Sequence, residues 1–266
     1  MNQKKQMLFR RLVTLMFAVV TGFAFSLAHG QVVADFSGGL GNQAPNEFPG
    51  SGGQGWAGGW QTTFVKGTMD QFSFSVEKDS SFVNGPDVLQ VARKGDQGFA
   101  RISRIVDVME TPPGGSQEVS FQVRLDEFTG SADQPFLFTL AGFSQEHEKD
   151  QIPANSNWCL IVTERDPTWA IYHGDSSTGR LVRLKTDIPL EVGVVYSVKI
   201  HLQPDQGLFR VILESGSHFY ESPQLSSASA VGMADLLSFT GWVAQGGPGQ
   251  FRWSLGAVRV RDLPSQ

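Results

Sequence analysis

Residues 194–215 read VVYSVKIHLQPDQGLFRVILES. Tyr196, Val198, Ile200 and Leu202 alternate with Ser197, Lys199, His201 and Gln203, and a second run from Leu208 to Leu213 follows Pro204-Asp205-Gln206-Gly207. Alternation of period two puts the apolar set on one face of a sheet and the polar set on the other. Pro presets a turn φ, and Gly207 is free to take the left-handed conformation that closes it. The stretch predicts a β-hairpin.

Similar short runs recur between turn residues on either side: 71–78, 87–93, 99–108, 118–126, 135–143, 157–165, 168–175, 180–187, 236–244 and 253–262. With the hairpin they make about a dozen strands. EVSFQVRLD (118–126) alternates strictly and predicts one buried and one wet face, whereas PFLFTLAGF (135–143) is apolar at both sets of positions and predicts a central strand covered on both sides. Only SSASAVGMADLL (226–237) has the composition of a short helix. Parallel sheets need helical crossovers, and no segment between the strands supplies one, so the sheets are expected to be antiparallel and the fold all-β. Residues 31–62 are rich in Gly and predict a short strand, Val32 to Phe36, then a wrapping loop pinned by Trp56 and Trp60.

The first thirty residues differ in kind. Lys4, Lys5, Arg10 and Arg11 precede LVTLMFAVVTGFAFSLA (12–28), and small residues follow. This is the pattern of a secretory signal peptide cut after Ala28 or Gly30; an uncleaved anchor is the other reading, and Gly22 with Ser26, Ala28 and Gly30 favours cleavage. The expected organisation is a signal peptide, 1–30, and one domain, 31–266, in a protein that is periplasmic, cell-surface or extracellular and has no span left after cleavage. The leader holds four of the 21 basic residues and none of the 26 acidic ones, which leaves the mature chain at −9. Such a chain is a poor partner for nucleic acid or anionic lipid. Cys159 is the single cysteine, so no intrachain disulfide forms, and its place in NWCLIVTE predicts a buried, inert thiol.

The opening QGWAGGWQ, the antiparallel runs, the hairpin and the closing LGAVRVRDLP together resemble the concanavalin A-like lectin/glucanase superfamily, and most of all the laminin-G-like jelly rolls of exported bacterial proteins. The resemblance covers nearly all of residues 31–266. It implies two packed, curved antiparallel sheets, a saccharide on the concave face or its rim, and in many members a structural calcium. The Glu-x-Asp-x-x-Glu strand of the family-16 glucanases is missing, and Gln151-Ile152-Pro153 departs from the Gln-Ile-His of the similar alginate lyases. The resemblance therefore bears on architecture more than on activity.

For a ligand site, a three-residue loop at Asp166-Pro167-Thr168 would pair Arg165 with Trp169 and Ile161 with His173. That places Arg165, Trp169, His173 and Asp175 on one wet face: an aromatic plane for a sugar ring, with charged groups for its hydroxyls. Lys199 and His201 extend that surface if their hairpin lies in the same sheet. An ordinary half-wet sheet face is the competing reading of all six. Asp35 and Asp262, near the two ends of the domain, are the candidate calcium ligands. The acidic run 146–150 lacks the His-Glu-x-x-His pattern and reads as a solvated loop. The expected function is an exported, non-catalytic binding module with a glycan as ligand. A polysaccharide lyase or glycoside hydrolase of the same fold, and a structural or adhesive surface protein, are the alternatives.

Overall fold

In the computed structural model of the chain, the described residues are 31–36, 55–65, 72–95, 98–106, 115–129, 136–143, 156–163, 166–175, 178, 180–228, 236–243 and 249–263. The leader 1–30, most of the Gly-rich loop, the run 146–150 and Arg165 lie outside them. In chain order the strands are β1 (Gln31–Ala34), β2 (Gln61–Val65), β3 (Phe72–Lys78), β4 (Asp87–Gly95), β5 (Gly98–Ile105), β6 (Ser116–Thr129), β7 (Phe136–Phe143), β8 (Trp158–Thr163) and β9 (Asp166–Gly174). They continue as β10 (Leu181–Pro189), β11 (Val195–Gln203), β12 (Leu208–Ser215), β13 (His218–Glu221), β14 (Leu225–Ser226), β15 (Leu236–Val243), β16 (Gly249–Leu255) and β17 (Val258–Leu263).

Their pairings, all antiparallel, resolve into two layers. In the first sheet β6 is central: β11, then β12, lie on one side, with β13 and β14 both on the far edge of β12. The other edge of β6 is shared. Residues 116–120 pair with β17, which carries β1, and residues 123–129 pair with β16, which carries β4 and β3. The second sheet runs β2-β5-β15-β7-β8-β9-β10. Among the described residues a single pairing, Ser226 with Gly174, joins the two.

The expected closing strand 253–262 is in fact two strands broken at Gly256-Ala257. Gly256 N–H donates to Gln122 O (2.8 Å), and a Cβ at Gly256 would stand 2.7 Å from the Phe82 ring, so the chain kinks past β6 where only glycine fits. The helix expected in 226–237 is also corrected at both ends. Ser226 belongs to β14 and residues 236–237 to β15, so the described ends are strand; residues 229–235 lie outside the description.

The hairpin forms as its alternation dictates. β11 and β12 pair from Ser197–Glu214 to Gln203–Leu208, and Tyr196, Val198, Ile200 and Leu202 are all buried. Between them Pro204–Gln206 makes one 3-10 turn, closed by Gly207 at φ 60° and ψ 35°.

The core lies between the sheets and is strongly aromatic. Phe121 of β6 meets Phe239 of β15 edge-on at 5.1 Å, Phe138 of β7 meets Trp253 of β16 at 5.5 Å, and Trp169 of β9 meets Tyr196 of β11 at 5.5 Å. Each such pair adds about 0.5–1.5 kcal/mol to the burial of its rings. Trp56 and Trp60 do pin the opening segment. Trp56 Nε1 donates to Val33 O (3.0 Å), and buried Trp60 packs on Phe36 and Phe239. Arg104 lies over both indoles at 4.7 and 5.7 Å, and Arg104 Nε donates to Gly58 O (2.9 Å); burial lowers its pKa to about 10, which leaves it charged at neutral pH.

β7 is buried on both faces, as its composition predicted. Phe138 and Leu140 enter the main core, while Ala141 and Phe143 join Cys159, Ile161 and Leu236 in a second apolar cluster.

Candidate functional site

The wet face expected on β8 and β9 does not form around Trp169. The observed register pairs Leu160 with Ile171 and Ile161 with Ala170, three residues away from the expected pairing of Ile161 with His173. Only residues 164–165 separate the paired Thr163 and Asp166, and the register shifts between Ile161 and Thr163. An odd slip turns every side chain to the opposite face. Trp169 and Ile171, each 0% exposed, fill the core opposite Trp158, Leu160 and Val162, and Ala170 and Tyr172 point outward. Burying an indole rather than a methyl removes far more apolar surface from water, and that decides the register.

The other expected residues are dispersed. His173 is half-buried, and its Nδ1 donates to the neighbouring Gly174 O (2.9 Å). Asp175 is a turn residue: its Oδ2 accepts from Thr178 Oγ1 (2.7 Å), and its N–H donates to Arg180 O (2.8 Å). Lys199 and His201 lie on β11, in the other sheet, so they do not extend a surface around His173. His201 Nε2 donates to Glu118 Oε2 (3.0 Å), and Arg261 Nε donates to Glu118 Oε1 (2.9 Å). Asp35 follows β1 and Asp262 lies in β17, but Ala34 pairs with Val258, so four residues, about 13 Å, separate Asp262 from the end that carries Asp35. The two cannot ligate one ion. Among the described residues no three His, Cys, Asp or Glu gather as a metal set.

A polar site that the expected pairing missed lies on the outer face of the second sheet. The registers align two rows across the strands. One runs Gln61, Ser103, Ser238, Ala141, Cys159, Tyr172, Arg183; the next runs Arg101, Thr240, Thr139, Ile161, Ala170, Lys185. Gln61, Arg183 and Lys185 are exposed at the ends of the rows, and the middle is buried.

In that middle, Thr139 Oγ1, Ser238 Oγ and Thr240 Oγ1 have no hydrogen-bond partner among the described residues, although none of the three residues is more than 6% exposed. Thr139 and Thr240 face one another across adjacent strands, with Cβ atoms about 5 Å apart, and Ser238 stands about 7 Å along β15. Each orphaned hydroxyl costs about 1–3 kcal/mol of lost hydration. Three together on one face make a cluster of donors and acceptors that a polar guest would satisfy only by displacing what covers them, since the oxygens are closed to solvent in this structure. The signal in the sequence was faint. Thr139, Ser238 and Thr240 are single hydroxyls in apolar runs, and only strand order brings them together.

No family model and no curated protein matches the sequence. Solved structures do. The catalytic domain of a glycoside hydrolase family 131 protein from Coprinopsis cinerea is similar with a TM-score of 0.52 at 12% identity, covering 78% of this chain and 85% of that one. A sialidase is similar with a TM-score of 0.49 at 14% identity over 88% of this chain, which spans 18% of the sialidase's length. Lectin UEA-II complexed with galactose gives a TM-score of 0.39 at 14% identity, over 74% and 92% of the two chains. The fold is the concanavalin A-like jelly-roll β-sandwich.

Proposed function

We propose that the protein is an exported, non-catalytic carbohydrate-binding module whose ligand is held by the outer face of the second sheet. The observation that carries this reading is the cluster of unpartnered hydroxyls at Thr139, Ser238 and Thr240 beside Ser103 and Arg101. A saccharide offers donors and acceptors at close intervals on a rigid ring, the complement of such a cluster; because the three oxygens are closed to solvent, its hydroxyls replace the missing partners only where the face opens to admit it. Export rests on the leader's basic and apolar pattern.

An enzyme is the second reading, because a glycoside hydrolase catalytic domain has a similar fold. Hydrolysis in that chemistry asks for two carboxyl groups about 5–9.5 Å apart. The described neighbours of the hydroxyls on this face are Arg101, Ser103, Ala141 and Ile161, which supports binding over cleavage.

The test is a glycan array on the chain 31–266, run with calcium and with a chelator, for the wild type, Thr240→Val and Thr139→Val. Binding reduced at least tenfold by either substitution supports the site, and binding unaffected by both removes it. Mass spectrometry of the bound glycans separates the two readings: shortened products favour the enzyme, unchanged ones the module.

A further inference from the structure

The outer face of the first sheet carries three consecutive rows whose side chains are treated differently. In one, Arg261, Glu118 and His201 are register partners joined through the two Glu118 oxygens, at 2.9 and 3.0 Å. In the third, Gln122 and Ser197 are register partners: Gln122 Nε2 donates to Ser197 Oγ (3.0 Å) and Gln122 Oε1 accepts from Asn84 N–H (3.1 Å). The row between them is Arg259, Ser120, Lys199. Arg259 is tied to the frame by one guanidinium nitrogen, Nη2, which donates to Asn84 O (2.6 Å). Ser120 and Lys199 have no hydrogen-bond or ion-pair partner among the described residues, and Lys199 is exposed.

Two strand spacings, about 10 Å, separate the backbones of Arg259 and Lys199, and between them stands the short side chain of Ser120. The result is a notch with a cation on each wall and a hydroxyl on its floor. The flanking rows are fixed by their own hydrogen bonds and Arg259 by its bond to Asn84 O, so one wall of the notch is preorganised, and Lys199 is ordered when the anion binds. A sulfate or carboxylate group fits it in charge and valence: the free N–H groups of Arg259 and the ammonium of Lys199 donate charge-assisted hydrogen bonds, and Ser120 donates a third.

We infer that Arg259, Ser120 and Lys199 form an anion-binding notch for the acidic substituents, sulfate or carboxylate, of a polysaccharide. The polysaccharide rests on the carbohydrate reading above; the anion rests on this geometry alone. The notch lies on the opposite side of the sandwich from the hydroxyl cluster. One chain is thereby equipped to touch a glycan on two faces.

The net acidity of the domain makes the test sharp, because polyanions are repelled by it except where cations are concentrated. Retention of the chain 31–266 is measured on sulfated dextran, polygalacturonate and unmodified dextran beads over a range of NaCl concentrations. The wild type should be held by at least one acidic matrix, released by salt, and pass through unmodified dextran. Lys199→Ala and Arg259→Ala should each weaken binding at least tenfold and Lys199→Glu abolish it. Arg180→Ala, which removes another exposed cation, from the β9–β10 turn, should leave it unchanged.

Thermal melts check that each variant is folded. Equal retention of Lys199→Ala and Arg180→Ala, or failure to bind either acidic matrix, overturns the notch. Equal binding to duplex DNA or phosphatidylserine vesicles overturns the polysaccharide as its partner. The carbohydrate reading stands or falls separately. If Thr240→Val loses array binding while Lys199→Ala behaves as wild type, only the notch is wrong; if Lys199 governs retention and Thr240→Val is silent on the array, the notch stands and the hydroxyl site falls.

Discussion

Thr240 is core-like in burial and surface-like in chemistry, and that tension is measurable. Its hydroxyl has lost water without gaining a partner, so Thr240→Val, nearly isosteric, should raise unfolding stability in urea by about 1 kcal/mol while it weakens glycan binding. A loss of stability would mean that the hydroxyl is already satisfied in solution. Asp79 is the opposite case. Its Oδ1 accepts from Ser81 Oγ (2.6 Å) and Ser81 N (2.9 Å), and its Oδ2 takes Arg124 Nη1 (2.7 Å), so the Ser81 bonds first, then Arg124, hold its pKa below the usual 3.8. A depressed folded-state pKa means the contribution is complete above the unfolded value and is lost as pH falls through the folded one. Asp79→Asn should flatten the decline of stability between about pH 5 and pH 2. The effect is modest, because the carboxylate keeps a quarter of its exposure.

At the scale of elements, what a strand can say about itself was legible and what depends on its neighbour was not. The β11–β12 hairpin was readable down to its turn, because alternation and the Pro-x-x-Gly loop are local. Gly207→Ala tests that turn: a Cβ in the left-handed region costs about 1–2 kcal/mol, so the midpoint of urea unfolding should fall accordingly, and Gly207→Asn should lose less. The face of Trp169 was not readable, because the three-residue slip depends on how much apolar surface each register buries against the other sheet. The break at Gly256 was hidden for a similar reason. The ring that a Cβ at Gly256 would meet belongs to Phe82, 174 residues earlier in the chain. The candidate site was the least legible part, since Thr139, Ser238 and Thr240 become neighbours only when β7 and β15 pair.

For the whole molecule, the sandwich has one aromatic core and two outer faces with different chemistry. The outer face of the second sheet buries hydroxyls beside an apolar cluster, and that of the first sheet holds a hydrogen-bonded charge lattice with one open row. Neither face is stapled, because the single cysteine excludes an intrachain disulfide even though export would permit one. The domain must therefore be held by burial, and Cys159 reports on that burial directly. It is 0% exposed, lies in the second apolar cluster, and burial pushes its thiol pKa far above the ordinary range. A thiol reagent in excess should label the folded chain only as fast as it opens, and the denatured chain at once. Melting with and without reductant should give the same midpoint. Because Cys159 sits in the row that holds Ser238, a ligand seated on that face closes the same opening, so saturating glycan should slow labelling by the factor by which it stabilises the fold. A ligand that bound only to the Arg259–Lys199 notch without stabilising the second sheet would leave local opening at Cys159 unchanged, which makes this one thiol a means of telling the two faces apart.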